Sequence, residues 1–194
     1  MSEYRKTTTD ELFFVTLSVV GWIDLFTRSI YKDIIVQNLQ YCQQKENLEI
    51  YCYVIMTNHL HLICRRYSLA GCEQGQGSLA GCEREQKDLT ELLGRFKSFT
   101  SKELLKTLEK NPQESRKEWI LNQFHLFAKQ NKQYSNYHLW QYANHPTLLY
   151  SNEIILQKQN YIHENPVRAG IVTDASTYLY SSACLESPLK VLEL

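Results

Sequence analysis

Three things are missing from this chain, and each absence removes a class of function. No apolar run approaches the roughly 18 residues that a membrane helix needs. The opening segment, Met1 to Glu11, is polar and charged, unlike a secretory leader. A soluble, cytoplasmic protein with no membrane partner is therefore expected. Charge of one sign is also missing: 21 Lys and Arg balance 21 Asp and Glu. Without a global positive field to draw it to phosphate, any nucleic-acid contact must be local. Finally, none of the six cysteines forms a CxxC pair, which weighs against a structural zinc module. A chain of 194 residues can bury a core without staples, so the cysteines are expected as reduced thiols in one domain.

What is present reads as alternating strands and helices. Leu12–Val20 is β-branched and aromatic, as in a buried strand. Ser29–Gln44 has helical spacing of Ile30, Ile34, Ile35, Leu39 and Cys42, and Lys45-Glu46-Asn47 marks a turn. Strands over 48–56 and His59–Cys64, split by Thr57-Asn58, suggest a hairpin. Residues 68–87 hold a tandem duplication, SLAGCEQGQG then SLAGCEREQK, with four of the seven glycines. Two copies of so short a period cannot build a solenoid, so about 67–87 is expected to be a flexible inserted loop.

Asp88 with Glu91 resembles a capping box for a helix carrying Leu89, Leu92, Leu93, Phe96 and Phe99 toward Lys110. After Pro112 a further helix holds Trp119, Ile120, Phe124 and Phe127, and 137–142 adds an extended segment. Ser151 is placed to cap a last helix, which is expected to end near Asn165 because a residue before proline disfavours helix. Short extended pieces and a tail follow. The order is α+β, and a small antiparallel sheet covered by helices fits it.

Two motifs carry chemistry. In His59-Leu60-His61, residues two apart on a strand share a face, so both imidazoles project together. In Tyr161-Ile162-His163-Glu164-Asn165-Pro166, Tyr161 and Asn165 are four apart and stack on one helix face, with Lys158 on the same row. His163 points elsewhere on the helix. Each motif alone also fits ordinary packing: a core histidine, or a core tyrosine on a proline-ended helix.

Together, NHLHLI and YIHENPVRAG resemble the signature of the HUH single-strand transposases with one tyrosine, specifically the REP-associated tyrosine transposases. Similarity extends through TTTDELFFVTLSVVGWIDLFTR, FKSFTSK, SRKEWIL, LWQ and YLYSSA, most of the chain. The resemblance implies a ferredoxin-like or RRM-like fold. It further implies His59 and His61 as ligands of a divalent metal, Asn165 as a third ligand, and Tyr161 as the nucleophile. The duplicated loop has no counterpart in the family pattern. Imidazoles with amide and phosphate oxygens suit Mg2+ or Mn2+, with Zn2+ as an alternative. Attack by Tyr161 would leave a 5′-phosphotyrosine and a free 3′-hydroxyl, and a second 3′-hydroxyl could reverse the step without ATP.

The partner implied is single-stranded or hairpin DNA, and a homodimer stands as an alternative to the monomer. Candidate DNA contacts are Arg95, Lys97, Lys102 and Lys106 in the basic stretch 95–132, with Lys158 and Arg168 beside the tyrosine motif. One or two of Trp119, Tyr134, Tyr137, Trp140 and Tyr142 would stack on bases. Three rival readings stand beside this one: a rolling-circle or conjugation initiator with the same chemistry, a catalytically silent nucleic-acid-binding module, and a zinc-binding structural protein using Cys64, Cys72, Cys82 and the histidines.

Overall fold

The computed structural model describes residues 11–66, 89–131, 136–142 and 146–194. The duplicated loop, Asp88, Cys72, Cys82 and Tyr134 lie outside the described residues, as do the expectations attached to them. Strands β1 (Phe13–Ser18), β2 (Leu48–Ile55), β3 (His59–Arg66) and the short β4 (Thr147–Leu148) form one antiparallel sheet in the order β2-β3-β1-β4. This is the strand order of a ferredoxin-like split βαβ arrangement. Helix α1 (Ser29–Lys45) joins β1 to β2. Helices α2 (Leu89–Lys110) and α3 (Lys117–Gln130) follow β3, and α4 (Asn152–Arg168) follows β4.

The pleat sorts the residues of the sheet. In β1, Phe13, Val15 and Leu17 are buried on one face, leaving Phe14, Thr16 and Ser18 on the other. Register carries the division across: Thr16 pairs with His61 and Ser18 with His59, so the imidazoles share a face with Phe14, Thr16 and Ser18. Leu60, Leu62 and Cys64, all fully buried, point to the opposite face. On that face Arg66 bonds Glu46 at the end of α1, and Glu46 takes both guanidinium nitrogens of Arg95 from α2. On the imidazole face, His163 of α4 reaches Cys52 of β2 at 3.2 Å. The sheet therefore separates α4 from the α1–α2 layer.

Three expectations change here. Helix α4 does not stop at Asn165: it runs through Pro166 to Arg168. Proline costs one backbone donor near the end of the helix, its fixed φ is helical, and its buried ring offsets the loss. The helix then closes with Ala169 N–H to the Asn165 carbonyl (3.0 Å), Gly170 N–H to Val167 (2.9 Å) and Ile171 N–H to Pro166 (2.9 Å), with Gly170 at φ +68°.

The C-terminal stretch, expected as short extended pieces and tail, covers the β2 edge. Ile55 N–H bonds Tyr180 (2.9 Å), Ser182 N–H bonds Tyr53 (3.0 Å) and Leu192 N–H bonds Ile50 (2.9 Å). These bonds satisfy an edge that would otherwise offer pairing to other chains. The same segment adds Tyr178, Tyr180 and Leu189 to the core. Phe99, expected on the apolar stripe of α2, is 55% exposed.

After β1 the chain turns sharply through Val20–Trp22, with Gly21 at φ +61° and Trp22 at φ +54°. A Cβ at Gly21 would sit 2.6 Å from the Phe127 ring of α3. Gly21→Ala therefore combines left-handed strain with displacement of that ring. It is expected to destabilise the fold by about 1–3 kcal/mol, read as a Tm lowered by roughly 3–10 °C. An unchanged Tm would contradict the packing described.

Candidate active site

Strand β3 presents the imidazole pair, and α4 brings a phenol to it. The His59 and His61 rings lie with centroids 4.7 Å apart, and the Tyr161 ring lies 5.3 Å from His61 at an interplanar angle of 67°. Phe14 stacks on His61 at 5.2 Å and meets Tyr161 edge-on at 6.0 Å. Ile162, fully buried, and His163 hold α4 to the sheet. His163 contacts Cys52 and the Ser182 hydroxyl (2.9 Å), away from Tyr161. The Ser151 hydroxyl caps the start of the helix by accepting from Ile154 N–H.

Each imidazole has its Nδ1 occupied. The Asn58 amide nitrogen donates to the Trp22 carbonyl (3.2 Å) and to Asp24 (2.9 Å), which turns its oxygen toward His59 Nδ1 at 2.7 Å. That oxygen accepts the Nδ1 proton, so Nε2 of His59 carries the lone pair. His61 Nδ1 meets the Thr16 hydroxyl at 2.8 Å, and its Nε2 is buried with no hydrogen-bond partner. Burial lowers the pKa of His59. It lowers that of His61 to about 3, with His59 and Lys158 adding to the effect. Both rings are thus neutral at pH 7, the form that ligates metal.

An orphaned buried nitrogen beside a second imidazole with fixed tautomer could supply two positions around a metal ion. Among the described residues, no three His, Cys, Asp or Glu side chains converge into such a group. Further positions would therefore fall to an amide or to substrate oxygens. Asn165 is half-buried one turn beyond Tyr161 on the same helix. The orienting residues Thr16, Trp22, Asp24 and Asn58 were not among the expected site residues. The sequence signal was their position inside the quoted stretches FVTLSVVGWID and TNHLH, but their convergence depends on the β1–β3 register.

The six expected cations divide. Lys158 Nζ lies 4.7 Å from the Phe14 ring centroid and 5.7 Å from that of Tyr161, and the Arg168 guanidinium lies 5.4 Å from Tyr161. Running α4 through Pro166 is what brings Arg168 there. The other four are not joined to the tyrosine. Arg95 is paired with Glu46 on the far face of the sheet. The Lys97 ammonium donates to the Gln141 and Tyr142 carbonyls at 2.9 and 3.1 Å, and burial lowers its pKa to about 8. Lys102 and Lys106 are exposed on α2, with Lys102 lining a groove of 580 Å³ against α1. Of the aromatics, Trp140 is buried with its indole N–H on Thr100, while Trp119 and Tyr142 are 53% and 64% exposed.

Cys42, Cys52, Cys64 and Cys184 carry free thiols, and burial raises Cys52 and Cys64 to about 12, far from reactive thiolates. No helix among the described residues is long and apolar enough to cross a membrane.

Fold and site together define an α+β protein of ferredoxin-like strand order, whose sheet face carries an imidazole pair beneath a helix-borne tyrosine. Among solved structures, the chain is similar to one described as a REP-associated tyrosine transposase bound to a REP hairpin. The two share 16% identity with a TM-score of 0.59, over 94% of this chain and 82% of that one. At this identity the likeness is one of fold. No family model matches the chain, and no curated protein matches it.

Proposed function

We propose that this protein is a metal-dependent single-stranded DNA endonuclease and strand transferase, a transposase-type enzyme working through a covalent 5′-phosphotyrosine at Tyr161 on hairpin or repeat DNA. The observation that carries this reading is the phenol 5.3 Å from an imidazole with an unpartnered Nε2, itself beside a second imidazole. The shared fold with a hairpin-bound transposase supports it.

His59 and His61, with the Asn165 amide, would hold a divalent ion, Mg2+ or Mn2+. When bound, such an ion supplies Lewis-acid polarisation of a phosphate oxygen. The chain's own residues do the rest. Asn58 fixes the tautomer of His59, Thr16 holds the Nδ1 edge of His61, and Phe14 packs against both His61 and Tyr161. Lys158 and Arg168 set positive charge beside the phenol, where phosphate and attacking oxygen bring negative charge. Attack by the Tyr161 oxygen forms a phosphorus–oxygen bond as the bond to the 3′-oxygen breaks; that oxygen leaves and takes up a proton. The reverse step by another 3′-hydroxyl restores the phenol and joins a new strand, one phosphoester replacing another.

Incubation with 5′-tailed hairpin DNA and Mn2+ should give an SDS-stable protein–DNA adduct that EDTA prevents. Binding without any adduct, under Mg2+ and Mn2+ alike, would leave a nucleic-acid-binding protein in place of an enzyme.

A further inference from the structure

Trp22 stands beside His59 at the outer end of the imidazole pair, in the left-handed backbone region that a bulky side chain rarely adopts. It is a bulky residue at φ +54°, following Gly21 at φ +61°, and such backbone strain at a non-glycine residue collects at functional sites. Its ring is 58% exposed and meets the outer side of His59 edge-on at 5.8 Å and 76°. The backbone that presents it is held from both sides. Gly21 is pressed against Phe127, and the Trp22 carbonyl accepts from Asn58, the same amide that orients His59.

Position along the sheet gives this ring a direction. Phe14, Thr16 and Ser18 succeed one another on one face of β1; Thr16 pairs with His61 and Ser18 with His59. Tyr161 contacts Phe14 and His61 at one end of this row, while Trp22 contacts His59 at the other. The order across the site is Tyr161, His61, His59, Trp22. In a displacement at phosphorus, the entering and leaving oxygens lie roughly in line on opposite sides. With the scissile phosphate lying over the two imidazoles, a nucleophile arriving from the His61 end would expel its leaving oxygen toward the His59 end.

Building on the activity proposed above, we infer that Trp22 is a stacking platform for the unpaired base immediately 5′ of the scissile phosphate, the nucleotide whose 3′-hydroxyl is released. Every base has a π-face, so the platform accepts any of the four, and aromatic rings hold single strands in this way. Keeping that base stacked after cleavage retains the 3′-hydroxyl for rejoining.

The test scans a single abasic nucleotide along a 5′-tailed hairpin oligonucleotide, measuring affinity for the wild-type chain, Trp22→Phe and Trp22→Ala. Trp22→Gly serves as a second ring-free variant, since glycine suits φ +54° should alanine impair folding. Wild type is expected to lose about tenfold in affinity when the base 5′ of the cleavage position is removed. The ring-free variants should bind the intact oligonucleotide as weakly as wild type binds the abasic one, with no further loss on base removal, and Trp22→Phe should fall between.

Equal abasic penalties in wild type and the ring-free variants, or a Trp22-dependent penalty at a different nucleotide, would overturn the inference. A wild-type chain that forms no adduct would strike the proposed activity and the assignment to a leaving strand. A Trp22-dependent abasic penalty would then still report a base site.

Discussion

Tyr161→Phe should bind hairpin DNA as the wild-type chain does and form no covalent adduct. The substitution removes one oxygen and leaves the ring, so the contacts with His61, Phe14, Lys158 and Arg168 persist. Among the described residues the phenol hydroxyl takes no hydrogen bond, and the change in stability should be small, within about 1 kcal/mol. The effect on chemistry should be nearly complete. With Tyr161 as the nucleophile, adduct formation should drop by more than about a thousandfold, to the background rate. Gel analysis of SDS-stable complexes alongside equilibrium DNA binding reads both quantities. A persistent adduct in Tyr161→Phe would move the nucleophile elsewhere and end the present reading.

The second large effect is expected at His61. The residue is 5% exposed, packed against both Phe14 and Tyr161 and bonded to Thr16. His61→Ala removes the imidazole whose buried Nε2 has no hydrogen-bond partner. Metal-dependent cleavage should fall by about a thousandfold, because losing Lewis-acid stabilisation is worth several kcal/mol. Mn2+ binding to the protein alone should weaken in parallel. Unchanged turnover with every added metal would remove the site.

A pH signature accompanies this. Burial lowers the pKa of His61 from 6.5 to about 3, so the unfolded ring takes up a proton as pH falls below about 6.5 while the folded ring does not. The unfolded state gains protons there, and His61 makes the fold less stable toward acid. Between pH 6.5 and 3, the metal-free His61→Ala variant should lose Tm less steeply than wild type.

Much of the architecture was legible because it rests on local rules. The β-branched and aromatic content of β1, the helical spacing of α1 and the polar turn before β2 each depend on residue type, side-chain period or turn chemistry within a few residues. The Ser151 cap was visible for the same reason. Helix α4 passes Pro166 because the residue before a proline only disfavours helix, and burial of the ring outweighs that preference. The C-terminal cover of β2 was invisible: Tyr180 and Leu192 find their partners at Ile55 and Ile50, more than a hundred residues away.

The site divides along the same line. His59 and His61 belong to one strand, and Tyr161, Asn165 and Lys158 to one helix face, since periods of two and about 3.6 residues decide those groupings. Which cations join Tyr161, and that Thr16, Asn58 and Trp22 surround the imidazoles, depended on strand register and on how far α4 continues. The chain alone thus determined which donors share a face, because that is covalent geometry repeated at short range. Only the folded structure decided that the two faces meet and that Arg95 and Lys97 are engaged elsewhere. Contacts between distant segments follow from competition among all the packing partners a side chain could bury against, which no local pattern encodes.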